Sequence, residues 1–181
     1  MSKAGVITMS LLKNLFGPKQ PNPNQALRPL YLMVIAKGRE LHWYENGQVP
    51  DTLDGRFDMI SSILALVLLR MESFPELAQE AAWLTEIFVE DMDAQMREAG
   101  IGDVVIAKDM GKVMGVLGGR LGAFRGAFDD KKTLKDAIKR NIYGGEKVDK
   151  DALAHVAKAF TAYWKQLNKS SAKQLMAGQL A

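Results

Sequence analysis

Val49-Pro50-Asp51-Thr52-Leu53-Asp54-Gly55-Arg56-Phe57 leads directly into the apolar run Ile60–Leu69. Proline disfavours helical backbone in the residue before it, so Val49 ends any preceding helix. Aspartate and threonine side chains accept hydrogen bonds from the free N–H groups that open a helix, and we expect Asp54 to be the cap. Gly55, in the first turn, indicates a place where a side chain would not fit. The stretch therefore predicts a capped turn followed by a buried core helix.

The composition and periodicity predict one all-α domain. A chain of 181 residues, of which 48% are apolar, can bury a sizeable single core. Apolar residues recur at steps of three and four from Gln25 onward, and no alternating strand pattern competes. We expect a bundle of about six helices over residues 26–168, a basic and flexible segment over residues 1–25, and a polar tail over residues 169–181.

Turn residues divide the domain into its helices. The first helix ends near Gly38, and Ser73–Glu76 has the spacing of a capping box before the third helix. The Gly144-Gly145 pair ends a basic helix, and Asp149 is the expected cap of the last one.

No catalytic, metal-binding or cofactor-binding pattern is found. The chain has no cysteine, which excludes disulfides, thiol nucleophiles and cysteine-based zinc sites. It has no phosphate-binding loop and no Gly-x-Ser-x-Gly elbow. His42 and His155 are far apart in sequence, and the acidic group at Glu90, Asp91 and Asp93 lacks the Glu-x-x-His of a di-iron bundle. We therefore expect no enzyme and no cofactor.

Charge is strongly segregated along the chain. Residues 1–39 hold six Lys/Arg and no acidic residue, residues 40–130 hold seven basic and seventeen acidic residues, and residues 131–181 hold eleven basic and four acidic residues. Basic ends around an acidic middle suggest an anionic partner, either lipid headgroups at a membrane surface or ribosomal RNA, whereas no motif indicates DNA. The alternative is a solvated surface whose charges complement each other within the molecule.

The fourth predicted helix is unusually rich in glycine. Each glycine inside a helix costs roughly 1 kcal/mol relative to alanine, so some interaction should offset the cost of six. The favoured interpretation is close packing against another helix of the same domain, and the alternatives are a groove for an apolar client helix or a bent helix. Methionines on neighbouring helices would suit a groove that adapts to varied apolar partners. The glycines are Gly111, Gly115, Gly118, Gly119, Gly122 and Gly126, and the methionines are Met92, Met96, Met110 and Met114.

Three stretches together resemble the ubiquinol–cytochrome c chaperone family. The first is Val49–Phe57 with the apolar run behind it. The second, Phe88–Asp103, resembles the family's acidic helix end, its Arg-Glu pair and its Gly-x-Gly-Asp turn. The third, Gly119-Arg120, resembles its later Gly-Arg. The blocks fall in the family's order, and the resemblance covers roughly residues 30–143.

The resemblance implies a helical assembly factor for respiratory complex III whose client is newly made cytochrome b. It implies a position at the inner membrane, peripheral on the cytoplasmic side in a bacterium or on the matrix side in a mitochondrion. The absence of an obvious transit peptide favours a bacterial member. Together with the glycine and methionine sets, the matching blocks give these candidate residues for client binding: Asp51, Thr52, Asp54, Gly55, Arg56, Met92, Met96, Arg97, Asp103, Met110, Met114, Gly115, Gly119, Arg120 and Gly122.

Two other functions remain open from the residues alone. A helical carrier of an apolar small molecule, such as a quinone or a lipid, would need an enclosed cavity. An all-α enzyme acting on an isoprenoid-like substrate would need clustered aspartates that face inward, and Asp91 with Asp93 is too sparse a set.

The basic N-terminal segment predicts binding to anionic membranes. Residues 1–19 contain Lys3, Lys13 and Lys19 and no acidic residue, and each basic residue near an anionic surface contributes about 1 kcal/mol. Deleting residues 1–19 should therefore weaken co-sedimentation with anionic liposomes, and added salt should weaken binding of the full chain. Equal binding by both forms would contradict a role for this segment at membranes.

Overall fold

The core is built around the helix Leu53–Met71. The computed structural model describes residues 23–98 and 103–181, and the side chains among them other than those at 23–24, 96, 103–110 and 131–132. In chain order the helices are α1 (Pro23–Gly38), α2 (His42–Glu45), α3 (Leu53–Met71), α4 (Ala78–Glu98), α5 (Asp103–Phe124), α6 (Lys131–Ile142), α7 (Lys150–Lys169) and α8 (Ala172–Met176).

The all-α prediction is confirmed. Within the two described ranges no strand occurs, and six helices are longer than ten residues, as the periodicity predicted. Two short turns of 3₁₀-helix, Pro75–Leu77 and Ala127–Asp129, precede α4 and follow α5. None of the described helices is both long and apolar enough to cross a bilayer.

Helix α3 is apolar on nearly all sides because its neighbours surround it. Every residue from Met59 to Leu69 is buried, and α3 packs against α1, α4, α5, α6 and α7. Burial of a leucine or isoleucine side chain contributes about 1.5–3 kcal/mol, so this one helix supplies a large share of the core.

The turn before α3 is fixed by two close contacts. The side chain of Thr52, rather than the predicted Asp54, caps the helix, because its Oγ1 accepts a hydrogen bond from the N–H of Gly55 at 3.1 Å. Gly55 is buried, and a Cβ there would overlap the carbonyl oxygen of Pro50. The expectation that a side chain would not fit at Gly55 is therefore confirmed.

Short helix α2 closes the C-terminal end of α1. The indole N–H of Trp43 donates to the carbonyl of Lys37 at 2.7 Å, and the hydroxyl of Tyr44 donates to the carbonyl of Gly38 at 2.8 Å. These side chains satisfy carbonyls that a helix end leaves without partners. The segment after the first helix thus contains a helical turn that carries a fully buried tryptophan, Trp43.

Several predicted helix ends differ in detail. Ser73 forms no capping box, because its hydroxyl donates to the carbonyl of Arg70. Asp149 makes no side-chain cap and instead accepts a hydrogen bond from the amide of Gln48 at 2.9 Å. Helix α5 ends at Phe124, so Gly126 lies outside it in left-handed backbone with φ of 73°.

The two ends of the chain differ from each other. The predicted basic segment over residues 1–25 lies almost entirely outside the described residues. Residues 169–181, predicted as a polar tail, contain α8, which begins with a capping box between Ser171 and Gln174 and packs against α1. Because Leu175 of α8 is fully buried, this segment is part of the folded body.

A buried arginine joins three helices. Arg120 of α5 is 3% exposed. Its guanidinium donates to the carboxylate of Asp58 and, at 3.2 Å, to the hydroxyl of Ser62, both on α3. It also donates to the carbonyl of Asn141 on α6 at 2.8 Å. Burial raises the pKa of Asp58 and lowers the pKa of Arg120, which reflects the cost of holding both charges away from water.

Arg120→Met should destabilise the domain by about 3 kcal/mol, the low end for breaking a buried ion pair, because it leaves the carboxylate of Asp58, which is 29% exposed, without its counter-ion. The measurement is the free energy of unfolding from urea titration. Arg125→Met is the matched control, because Arg125 also pairs with a glutamate across helices, Glu72, but at the exposed surface. A similar loss for both variants would contradict the special role of Arg120.

Candidate functional site

An open cleft lies between the N-terminal part of α3, the C-terminal part of α4 and the middle of α5. Its volume is about 380 Å³, within the size range of ligand sites. An apolar floor accounts for most of the lining and is formed by Leu53, Phe57, Ile60, Met92, Val113 and Val116. The polar lining residues are Arg39, Asp54, Arg56, Gln95 and Lys112.

The floor is held rigidly from behind. The ring of Phe57 stacks on that of Phe88 with centroids 6.0 Å apart, and the guanidinium of Arg120 lies 5.6 Å from the centre of the Phe57 ring. A cation over an aromatic face is attracted by the ring's quadrupole. The buried arginine thus supports both the helix contacts and one wall of the cleft.

The α4 side of the cleft is fixed to α1 by a polar contact. The hydroxyl of Tyr31 donates to Oδ2 of Asp91 at 2.6 Å, and the amide of Gln95 donates to the same oxygen at 2.9 Å. Burial, and then the neighbouring Asp91, raise the pKa of Tyr31 well above its usual range, so the hydroxyl stays a donor at physiological pH. This contact keeps Met92 and Gln95 in place along the cleft.

The mouth of the cleft carries basic side chains from three elements. Arg39 follows α1, Arg56 lies in the first turns of α3 and Lys112 lies on α5. The Nε of Arg56 is 2.6 Å from Oδ1 of Asp51 in an exposed ion pair, and this hydrogen bond lowers the pKa of Asp51. Arg56 thus pairs with Asp51, whereas nearby Asp58 pairs with Arg120.

The glycines of α5 face outward. A Cβ added at Gly111, Gly115, Gly118, Gly119 or Gly122 would meet no described atom within 4 Å. The favoured sequence interpretation, packing against another helix of the domain, is therefore wrong for the described residues. Successive residues of an α-helix are rotated by about 100° around its axis. Gly118 and Gly122, two residues before and after Arg120, therefore point away from the core that Arg120 faces.

We call this surface the glycine face of α5, comprising Gly111, Gly115, Gly118, Gly119 and Gly122. Val116, 39% exposed, borders it on the side of the cleft, and Met114, 47% exposed, borders it on the opposite side. The glycine face and the cleft thus form one continuous surface along α5. It offers apolar contacts and, along the five glycines, an open approach to the backbone, and Lys112 stands at the border between the glycine face and the cleft.

The structure separates the predicted site residues into groups. Asp54, Arg56 and Met92 line the cleft, and Asp51 is paired at its mouth. Thr52 and Gly55 shape the turn before α3, and Arg97 pairs with Asp93 on the exposed side of α4 at 2.8 Å.

The predicted residues of α5 whose side chains are described lie on or near its glycine face. Gly115, Gly119 and Gly122 form part of the glycine face, Met114 borders it, and Arg120 is buried beneath it. The side chains of Met96, Asp103 and Met110 lie outside the described residues.

Sequence reasoning missed most of the cleft lining. Phe57 and Ile60 were quoted only as part of the stretch that opens the core helix, Arg39, Val113 and Val116 were not singled out, and nothing in their periodicity sets them apart. Leu53 and Val116 are exposed apolar residues of the lining, and nothing in the sequence signalled that exposure. The four methionines were expected to share a groove, but Met92 lies in the cleft and Met114 lies beyond the glycine face.

The two histidines, distant in sequence, meet in the fold. Nδ1 of His42 lies 2.9 Å from Nε2 of His155, and Nε2 of His42 lies 2.9 Å from Glu40. They join α2 to α7, and neither histidine lines the cleft. Among the described residues no group of three or more His, Cys, Asp or Glu side chains could hold a metal ion.

Comparison with known proteins adds two similarities. The family described as Ubiquinol-cytochrome C chaperone matches residues 45–181 of the chain. The crystal structure of the Cbp3 homolog from Brucella abortus is similar with a TM-score of 0.77 and 29% sequence identity, covering 96% of this chain and 95% of that chain. No curated protein matches the chain by sequence.

Replacing Gly115 and Gly122 together with alanine should stabilise the domain. Each added methyl group meets open space, so the gain in helix propensity should add about 2 kcal/mol to the free energy of unfolding. For a chain of this size that corresponds to a rise in melting temperature of about 4–8 °C. The control Gly55→Ala should lower the melting temperature, because its methyl group would overlap the Pro50 carbonyl. A lower melting temperature for the Gly115/Gly122 variant would show that the glycine face is packed against another part of the protein.

Proposed function

The chain belongs to the ubiquinol–cytochrome c chaperone family, and we propose that it holds newly made cytochrome b during assembly of ubiquinol–cytochrome c reductase. The observation that carries the proposal is the continuous surface made by the cleft and the glycine face of α5. This surface is mostly apolar and open, and along the glycine face the helix backbone is not covered by side chains. A membrane protein that has not yet been inserted presents apolar helices that need such cover.

The glycine face suits a helical client in particular. Small residues let two helix backbones approach closely, which increases van der Waals contact along the crossing. In water the same contact also removes apolar surface of the client from solvent, at about 25 cal/mol per Å². A helix laid across Gly115, Gly118 and Gly122 would bring its side chains over Val116 and into the cleft.

The cleft supports a reversible interaction. Its floor offers one methionine and one aromatic ring, Met92 and Phe57, at the junction of three helices. An assembly factor must release its client, and a shallow site of about 380 Å³ covers only a few side chains at a time. We propose a non-enzymatic role, in which the surface binds and covers client helices that would otherwise be exposed, without changing them chemically.

Basic segments would hold the protein at the membrane surface or at the ribosome. We propose that residues 1–39 and 131–181, which carry a net positive charge, associate with anionic lipid headgroups or with the ribosome. This would keep the cleft close to the membrane into which cytochrome b inserts, peripheral to the inner membrane.

Deletion of the gene should lower assembled complex III and cytochrome b while leaving cytochrome oxidase largely intact. Spectra of reduced haems in membranes, together with native gels, measure all three. Complementation with the parent chain should restore cytochrome b, and the Gly115→Ala/Gly122→Ala variant should restore less of it although it folds at least as well. Normal cytochrome b in the deletion strain would refute the proposal.

Co-isolation supplies the direct readout. Tagged parent protein should retain newly made cytochrome b, and the Gly115→Ala/Gly122→Ala variant should retain several-fold less. Leu32→Ser is the matched control, because Leu32 is a 53% exposed apolar residue of α1 that does not line the cleft. Equal loss in the control and the glycine variant would indicate general surface stickiness and contradict a role for the α5 surface.

A further inference from the structure

The mouth of the cleft is basic within an otherwise acidic part of the molecule. Residues 40–130 contain seventeen acidic and seven basic residues. Two of those seven, Arg56 and Lys112, line this one cleft, and Arg39 joins them from the end of α1. Asp54 is the sole acidic residue of the described lining. With Asp51 counted beside Arg56, the mouth holds three basic and two acidic side chains, so its net charge is opposite in sign to that of residues 40–130.

Arg39 is the key member of this basic set. It is exposed at the mouth, and no carboxylate of the described residues lies within salt-bridge distance of its guanidinium. Arg56 is already paired with Asp51, but both partners are more than half exposed. An exposed pair contributes little to stability, so the guanidinium of Arg56 can exchange its partner at little cost.

We propose that the cleft selects apolar helices that carry an acidic side chain at the edge of their apolar face, an inference that rests on the proposed function. The apolar part of the helix would cover Phe57, Ile60 and Val116, and its carboxylate would reach Arg39 at the mouth, within the positive field to which Arg56 and Lys112 contribute. A lysine or arginine at the same position of the client would face these cations and be repelled.

The charge arrangement also predicts how binding responds to salt. Opposite charges at an exposed rim mainly raise the association rate and the selectivity of a complex, and salt screens them over about 8–10 Å. Binding of an acidic client helix should therefore weaken as salt rises. Binding of a neutral helix of the same apolar content should hold or strengthen.

Three matched peptides test the proposal. Each is the same fluorescently labelled amphipathic helix of about 18 residues, with Glu, Gln or Lys at two positions on the edge of its apolar face. We expect the Glu peptide to bind the full-length protein at least tenfold more tightly than the Lys peptide, with the Gln peptide between them. In the Arg39→Glu/Lys112→Glu variant the order should invert. Equal binding of the three peptides, or an unchanged order in the variant, would overturn the proposal.

Two controls make the result specific. Lys158→Glu/Lys165→Glu makes the same charge change on exposed positions of α7, outside the cleft lining, and should leave the order of the peptides unchanged. Inversion by this control as well would mean that net charge alone decides binding, which overturns the proposal. Oleate, an anionic amphiphile of another class, is tested in parallel. Oleate binding that depends on Arg39 while no peptide binds would assign the cleft to a lipid instead.

Failure of this inference can be told apart from failure of the proposed function. If the parent protein does not retain cytochrome b in cells, the function itself fails. If it does, and the Arg39→Glu/Lys112→Glu variant retains as much, the proposed function stands and the selection for acidic helices is wrong.

Discussion

The site depends on the contacts that the buried guanidinium of Arg120 makes. It takes its partners from α3 and α6, and it lies behind the ring of Phe57 that forms part of the cleft floor. Because its side chain must point into the core, the rotation of α5 about its axis is fixed. At about 100° per residue, Gly118 and Gly122 then have to face away from the core. The buried charge and the buried apolar residues Val113, Leu117 and Phe124 on the same side of α5 thus turn the glycine face toward solvent.

This arrangement is costly for the isolated domain. Burying an ion pair rarely stabilises a fold as much as an apolar replacement would, and glycines in a helix each cost about 1 kcal/mol. Within the described residues no contact of the glycine face offsets that cost. Proteins tend to accept such local costs where function requires them. A surface that must admit another backbone closely, and then release it, is a reason of this kind.

The sequence was most informative where the physics is local. The apolar run of α3, the absence of a side chain at Gly55 and the helix end at Gly144-Gly145 all follow from periodicity, sterics or backbone preference, and all are present. Contacts between distant segments were beyond such reasoning. The pairing of Asp58 with Arg120, the meeting of His42 with His155 and the docking of α8 on α1 require knowledge of which helices are neighbours. The glycine stripe was recognised, but that it turns to solvent became clear only from the packing of α5, which includes the pairing of Arg120 with Asp58, 62 residues away.

Photo-crosslinking during translation of cytochrome b tests the central claim most directly. A photoreactive side chain at Val116 lies between the cleft and the glycine face, and one at Leu32 lies on an equally apolar, more exposed position of α1 outside the cleft lining. The account predicts that newly made cytochrome b crosslinks from position 116 and not from position 32. Crosslinking from position 32 alone, or from both to the same extent, would show that the client does not bind along α5.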